Sequence, residues 1–211
     1  MKPVEFEKPT IVLASKSPRR AQLLTDAGIR FVQMASEVDD NDLNYDHKHD
    51  GVSKKQEIEY AKAMAMAKLE PFVGKVKNGA VITADTSVFC KGRILEKPIT
   101  RERCRTQHEF LSGKTNINYT SYAVYFNGRV LCRVMPTKVK VKKLSPEIIE
   151  AICNEPYALD AAGYYSRGKI GEHLIFNRKQ WDNLTGFHIP FVTKMLLKIG
   201  FPKDEIYKES L

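Results

Sequence analysis

The sequence predicts a mixed α/β fold, and three observations support this class. Residues 11–14 form a short apolar run typical of a buried strand, and a helix start follows at once. The dipeptide Asn127-Gly128 lies between two apolar segments and favours a hairpin with a type I′ turn. Residues 137–144 alternate lysine with valine, as in a strand with one wet, basic face. Together they indicate a mixed sheet rather than a pure βαβ array.

The first helix has recognisable residues at both ends. Ser17 suits the N-cap, Pro18 suits the first helical position, and Gly28 suits the position after the last turn. We therefore expect a helix over residues 18–27, directly after the first strand.

The other elements follow from apolar periodicity and turn residues. Residues 36–51 are polar and acid-rich and are predicted to form a loop, and residues 87–95 to make a short excursion. Strands are expected over residues 29–34, 80–84, 119–126 and 129–134, and helices over residues 53–69, 100–111 and 189–199, with one more beginning at Ser145-Pro146-Glu147.

Composition narrows the function classes without choosing one. The chain has 211 residues, of which 43% are hydrophobic and 28% charged, so it is globular and long enough to bury a core. Its formal net charge of +9 attracts polyanions, which include nucleic acid, anionic membrane and nucleotide phosphates. A solvated basic surface is the alternative. No run of about 18 apolar residues occurs, so we expect no transmembrane helix.

The cysteines predict reduced thiols. Cys90, Cys104, Cys132 and Cys153 include no CxxC pair and no Cys/His cluster with zinc spacing, and His108 is isolated in the sequence. The N-terminus has no apolar signal core. We therefore expect a cytoplasmic protein.

A phosphate-binding turn is the clearest chemical signal. Residues 15–20 read Ser-Lys-Ser-Pro-Arg-Arg and join the first strand to the first helix. The start of a helix exposes free N–H groups and the positive end of the helix dipole. Ser15 and Ser17 add hydroxyls, and Arg19 and Arg20 add guanidinium groups that match phosphate oxygens. A capped helix with two exposed arginines is the alternative, and composition alone leaves both open.

Asp85 is the second candidate, at the end of the predicted strand over residues 80–84. Ligands of open α/β sheets gather beyond the carboxyl ends of strands. If this strand runs parallel to the first, Asp85 faces the phosphate-binding turn and can hold Mg²⁺ or act as a general base. An aspartate that caps a turn is the alternative. Lys68 is predicted either to point into a cleft or to snorkel to water, and Lys97 is a weaker candidate.

In their order along the chain, these residues resemble the motifs of the Maf-like (septum-formation inhibitor) nucleotide pyrophosphatases. Order and approximate spacing hold from about residue 11 to about residue 200. After the phosphate-binding turn, the matching segments are Val38-Asp39-Asp40, Ala65-Met66-Ala67-Lys68, Ala84-Asp85-Thr86, Leu95-Glu96-Lys97-Pro98, Leu111-Ser112-Gly113 and Gly163-Tyr164-Tyr165-Ser166-Arg167-Gly168.

The resemblance implies one domain over residues 1–211, with an elongated mixed sheet, flanking helices and two lobes around a central cleft. It implies hydrolysis of nucleoside triphosphates, including modified or non-preferred ones, to monophosphate and pyrophosphate with Mg²⁺ or Mn²⁺. It also implies a homodimer and no membrane partner. Carried over by position, the catalytic residues are Asp85, Lys68 and Lys97, the substrate-binding residues are Ser15, Ser17, Arg19, Arg20, Thr86 and Arg167, and the metal ligands are Asp40 and Asp85.

Three residues depart from the family pattern. Asp40 stands where the family usually has Glu, which keeps the charge and shortens the reach. Glu96 replaces a glycine before Lys-Pro and adds a negative charge beside the phosphate pocket. Arg167 replaces Gln or Glu, so we expect a changed contact to the base or sugar, or an added phosphate contact.

A non-catalytic nucleotide- or nucleic-acid-binding protein that uses the same basic cleft is the alternative function. The carboxylates Asp40 and Asp85 favour the enzyme, because a mere phosphate binder needs no carboxylate near its anion. No zinc module or RNP-type aromatic motif occurs, so nucleic acid is not the expected partner.

Overall fold

The computed structural model describes residues 2–38 and 51–207. Within these residues, seven strands form one mixed sheet, together with six α-helices, which confirms the predicted fold class. The strands are β1 (Val4–Leu13), β2 (Val32–Gln33), β3 (Val76–Cys90), β4 (Arg93–Leu95), β5 (Thr115–Phe126), β6 (Arg129–Val141) and β7 (Leu174–Ile175). The helices are α1 (Pro18–Asp26), α2 (Lys54–Leu69), α3 (Arg101–Leu111), α4 (Pro146–Cys153), α5 (Trp181–Leu184) and α6 (Ile189–Ile199).

The sheet has the strand order β2-β1-β3-β5-β6-β7, with β4 paired to β3. Strand β1 runs parallel to both β2 and β3, whereas β3, β5 and β6 pair antiparallel. The β5–β6 hairpin turns at Asn127 and Gly128, whose φ angles of 46° and 77° are both positive, as a type I′ turn requires. The predicted hairpin is confirmed.

Strand β3 is longer than the sequence predicts. It continues through Asp85, which pairs with Ser121 of β5, and then forms a hairpin with β4. The prediction that Asp85 ends a strand was wrong. The excursion predicted over residues 87–95 is the β3–β4 hairpin, which turns at Lys91 and Gly92. The run reads as two pieces because polar residues interrupt its apolar pattern, but most of them are buried against neighbouring strands.

Two other strands also differ from prediction. The strands predicted over residues 129–134 and 137–144 are the single strand β6, which passes through Pro136. In the described part of the chain, β7 pairs with β6 only at Lys140 and Val141, so Pro136 needs no donor on that side. The strand predicted over residues 29–34 shortens to β2.

The core has two parts along the sheet. Near β1, the sheet packs against α1 and α6 on one face and against α2 on the other. Farther along, a second cluster lies near α3 and α4 and includes Leu111, Val139, Val141, Ile152 and Ile170. On β3, Ala84 belongs to the first part and Val88 to the second, so residues 85–87 lie at the boundary between them.

Local capping agrees with several predictions. Ser53 and Gln56 form a capping box at the start of α2, and Gly200, with a φ of 97°, ends α6. Ser17 is the N-cap of α1, yet within the described residues its side chain makes no capping hydrogen bond. No helix among the described residues is both long and apolar enough to cross a membrane.

Candidate active site

A buried ion pair lies at the boundary between the two parts of the core. Lys68 Nζ in the last turn of α2 is 2.6 Å from Asp85 Oδ1 on β3, and their side chains are only 15% and 10% exposed. Helix α2 is held against the sheet by buried Ala61, Ala65 and Leu69. Lys68 therefore points towards the sheet rather than snorkelling to water, because its charge has a partner there.

Ser87 completes the surroundings of the Asp85 carboxylate, and sequence reasoning missed it. Its hydroxyl donates to Asp85 Oδ2 at 3.1 Å and is buried. Residues two apart on a strand share a face, so the spacing alone placed Ser87 beside Asp85 once both were on one strand. Each carboxylate oxygen has two lone pairs, so Asp85 keeps acceptor capacity for a water or a cation.

The turn over residues 15–20, which the sequence predicts to bind phosphate, lies next to this pair because β1 and β3 are parallel. Leu13 is opposite Ile82, and the Ala14 amide donates to the Ile82 carbonyl at 2.9 Å. The chain leaves β1 at this point and enters the turn, while β3 continues three residues further to Asp85. The predicted parallel arrangement is confirmed, and it brings the turn and the carboxylate to the same edge of the first core.

Arg20 is an internal anchor of the turn. Its guanidinium donates to the Ala84 carbonyl at 2.6 Å, to Ser15 Oγ at 3.2 Å and to the Gly186 carbonyl at 3.2 Å. Ser15 Oγ also accepts from the Ser17 amide at 3.2 Å. Arg20 thus bonds to three separate segments of the chain. A capped helix that merely carries two exposed arginines would show no such contacts.

Arg19 has a different environment. It is exposed, and its guanidinium lies 5.6 Å from the centroid of the Tyr165 ring, within cation–π distance. The Tyr165 ring in turn packs against Tyr157 at 5.6 Å. The two neighbouring arginines therefore differ. Arg20 donates hydrogen bonds to backbone carbonyls, whereas Arg19 contacts the ring of Tyr165.

The remaining predicted residues are placed as follows. Lys97 follows β4 and forms an ion pair with Asp160 at 2.9 Å, in which both side chains are substantially exposed. Thr86 Oγ1 is 3.3 Å from Thr120 Oγ1. Arg167 is exposed. Asp40 lies outside the described residues.

A buried amide supports the wall of the site. Asn183 is fully buried and fixes the segment that ends at Gly186. Gly186 has a φ of 100°, and a Cβ there would lie 3.3 Å from Thr86 Oγ1. The positive φ and this close approach both favour glycine at this position. The hydrogen-bond partners of Asn183 are the side chains of Thr120, Tyr122 and Thr137 and the carbonyl of Met135.

The sequence matches the family model described as Maf-like protein over residues 10–199. The chain belongs to the Maf-like protein family. This confirms the resemblance seen in the motifs, and the match runs from the last residues of β1 to the end of α6.

Curated relatives extend over nearly the whole chain. A dTTP/UTP pyrophosphatase of Geobacter sulfurreducens is 33% identical over 198 residues, which are 92% of this chain and 99% of the relative. The dTTP/UTP pyrophosphatase of Geotalea uraniireducens is 35% identical over 196 residues, or 92% and 96% of the two chains. That of Pyrococcus abyssi is 31% identical over 195 residues, or 90% and 96%.

Proposed function

We propose that this Maf-like chain is a nucleoside triphosphate pyrophosphatase that hydrolyses ribo- and deoxyribonucleoside triphosphates to the monophosphate and pyrophosphate. The observation that most supports it is the Lys68–Asp85 ion pair beside the phosphate-binding turn. The relatives are named dTTP/UTP pyrophosphatases, so we take dTTP and UTP as the first substrates to test. Modified pyrimidine nucleotides follow as the second group.

The reaction is attack of water on the α–β phosphoanhydride. The water oxygen bonds to phosphorus, the phosphorus–bridging-oxygen bond breaks, and pyrophosphate leaves. The Asp85 carboxylate is suited to accept the proton of the water, since Lys68 and Ser87 hold it in place through one contact to each oxygen. Lys68 also places a positive charge where negative charge develops.

The phosphates fit the turn and the start of α1. The amides of the first helical turn and the Ser17 hydroxyl lie at the N-terminus of α1, where the helix dipole favours anions. Arg19 is exposed beside them, and its guanidinium is the group that we assign to contact the phosphates. We assign Arg20 the role of fixing the turn, and Lys97, Thr86 and Arg167 the outer contacts to substrate.

The donor set near Asp85 fits a hard divalent cation. Each Asp85 oxygen has one contact to a described residue, which leaves lone pairs for a cation. Asp85 would hold Mg²⁺ or Mn²⁺ together with Asp40, through carboxylate oxygens that such ions prefer. When bound, the cation neutralises phosphate charge and polarises the phosphoryl oxygens.

The alternative is a nucleotide- or nucleic-acid-binding protein without catalysis. A buried carboxylate next to an anion site weakens phosphate binding, so Asp85 is a disadvantage for a binder and useful to a hydrolase. We further propose one domain over residues 1–211, a homodimer and a cytoplasmic location, as the family resemblance implies. Light scattering after size-exclusion chromatography measures the oligomeric state.

The test is pyrophosphate release from a panel of canonical and modified nucleoside triphosphates with Mg²⁺ or Mn²⁺. Asp85→Asn is expected to lower kcat by at least about 10²–10³-fold, the usual cost of removing one electrostatic or proton-transfer group. Asp160→Asn is the matched control, because it removes an exposed carboxylate that pairs with Lys97. If the wild-type protein hydrolysed none of the nucleotides, the result would favour the non-catalytic binding protein. Full activity of Asp85→Asn would contradict the role of Asp85 alone.

A further inference from the structure

Three buried ligand-type side chains meet between α3 and α4, and none of them is among the residues assigned to the hydrolase. Cys104 and His108 lie one turn apart on α3, and Cys153 is the last residue of α4. Their exposures are 0%, 1% and 2%. The two sulfurs and one ring nitrogen of His108 all lie within 4.8 Å of one another. We call these residues the dithiol cluster. No zinc-type spacing in the sequence indicates this cluster, because Cys153 is far from Cys104 along the chain.

The ring of His108 contacts the cluster through Nδ1, which lies 3.5 Å from Cys104 Sγ and 2.8 Å from the Cys104 carbonyl oxygen. Its Nε2 is buried and has no hydrogen-bond partner among the described residues. Burial lowers the pKa of His108, so the imidazole is neutral near pH 7. The neutral ring offers a cation one nitrogen lone pair, on Nδ1 beside Cys104 Sγ or on Nε2, depending on the tautomer.

The two thiols are in close contact and poorly suited to exist as free thiolates. Cys153 Sγ lies 2.7 Å from Cys104 Sγ. Burial raises the pKa of Cys104 to about 12 and also raises the pKa of Cys153. A thiol with a raised pKa is a weak nucleophile, so the environment disfavours reaction with oxidants or electrophiles. A cation bound directly to the sulfurs removes the cost of burying their charge.

We propose that Cys104, His108 and Cys153 form a binding site for a thiophilic divalent metal ion, Zn²⁺. Two thiolates, one neutral imidazole and Zn²⁺ sum to zero net charge, which suits a buried site. Zinc takes Cys sulfur at about 2.3 Å and His nitrogen at about 2.0 Å, so its ligand atoms stand about 3.4–3.8 Å apart. The two sulfurs must therefore separate by about 1 Å, and three protein ligands leave a fourth position.

This site differs from the proposed hydrolase site in its residues and in its chemistry. The hydrolase site offers carboxylate oxygens, which suit Mg²⁺ or Mn²⁺, whereas thiolate and imidazole suit zinc. The zinc would link α3 to α4, which are already joined at the surface by the Arg105–Glu150 ion pair. Binding of metal to the folded chain alone raises its stability. The zinc site stands whether or not the proposed hydrolase activity does.

The test uses the full chain, reduced and freed of metal, and two probes, Zn²⁺ and Cd²⁺. The Cd²⁺ titration follows the ultraviolet charge-transfer band of thiolate–cadmium bonds, which carboxylates do not give. Zn²⁺ binding is measured by competition with a chromophoric chelator and by the shift in Tm. We expect one ion per chain with a thiolate band. Cys104→Ser and Cys153→Ser should each weaken binding by more than about 100-fold, since even outer-shell changes cost about 10–100-fold.

Two sets of controls separate this site from others. Cys90→Ser and Cys132→Ser remove the other two thiols and should leave the thiolate band unchanged. Asp85→Asn should also leave it unchanged, which excludes the hydrolase site as the source. His108→Leu removes the nitrogen ligand without removing a thiol, and we expect it to weaken Zn²⁺ binding by at least about tenfold.

Three results would overturn the proposal. The first is Zn²⁺ affinity that is equal in the wild type and in Cys104→Ser. The second is a thiolate band that disappears in Cys90→Ser or Cys132→Ser instead. The third is a fully reduced preparation that takes up no Cd²⁺ or Zn²⁺ and forms a Cys104–Cys153 disulfide with glutathione disulfide, seen as the loss of two hydrogen masses. That last result would assign the close sulfur contact to a disulfide.

Discussion

The Lys68–Asp85 pair and the dithiol cluster are both buried groups of titratable side chains, but they resolve burial in opposite ways. Lys68 and Asp85 are oppositely charged and neutralise each other at 2.6 Å. In the dithiol cluster, burial favours the neutral forms, raising the pKa of Cys104 and lowering that of His108. In the hydrolase that we propose, the charged pair suits phosphate and hard cations. In the zinc site that we propose, the cation displaces the thiol protons and binds a lone pair of the neutral imidazole.

The largest expected effect tests the charge compensation of the ion pair. Lys68→Met leaves Asp85 with Ser87 as its remaining side-chain hydrogen-bond donor among the described residues, so we expect the free energy of unfolding to fall by about 3 kcal/mol. The double variant Lys68→Met/Asp85→Asn should recover most of this loss, because it removes both charges of the pair. Urea unfolding followed by circular dichroism measures both.

The matched control for that prediction is Lys97→Met. It breaks the exposed Lys97–Asp160 pair, and we expect a change below about 1 kcal/mol. Equal losses for Lys68→Met and Lys97→Met would show that burial does not distinguish the two pairs.

The second prediction concerns the two arginines of the phosphate-binding turn. Arg20→Ala removes donors to Ala84, Ser15 and Gly186, so we expect it to lower the free energy of unfolding by about 2–3 kcal/mol. Arg19→Ala should cost no more than about 1 kcal/mol, the value of an exposed cation–π contact. Its main effect should be a rise of about tenfold in KM for nucleoside triphosphates. Thermal melts and steady-state kinetics separate the two, and a larger stability loss for Arg19→Ala would reverse the assignment.

The third prediction uses the pH dependence of the metal-free dithiol cluster. The pKa of folded His108 is lowered, whereas the unfolded chain has the ordinary value of about 6.5. The unfolded state therefore takes up a proton first, and stability falls as pH drops below about 6.5. His108→Leu should flatten this part of the Tm profile between about pH 6.5 and 5. A profile that is unchanged in His108→Leu would show that His108 titrates normally.

The smallest expected effect lies on the surface beside the dithiol cluster. The Arg105 guanidinium lowers the pKa of Glu150, to which it donates two hydrogen bonds. Its contribution is present above the ordinary glutamate pKa and lost as pH falls through the lowered value. Glu150→Gln should change Tm only slightly at neutral pH, and the difference from wild type should vanish in acid and shrink in high salt. A large fall in Tm that does not depend on salt would show that the Arg105–Glu150 pair behaves like a buried pair.

The sequence by itself determined the elements whose signals are local. The turn at Asn127-Gly128 and the helix α6 with its Gly200 cap follow from residues within a few positions of each other. The Maf-like motifs could likewise be read from the sequence, because each one is a short run of neighbouring residues. Local propensity and side-chain period decide such features without help from distant segments.

Only the tertiary structure decided which distant groups touch. Asp85 lies within a long strand because β5 pairs along it, and this same strand brings Ser87 to its carboxylate. The sequence left two directions possible for the Lys68 side chain, towards water or into a cleft. The packing of α2 on the sheet decides between them. Cys104 and Cys153 meet because α3 and α4 pack together, and no spacing in the sequence encodes that contact. Burial and partner charge depend on the whole fold, and they give these side chains their chemistry.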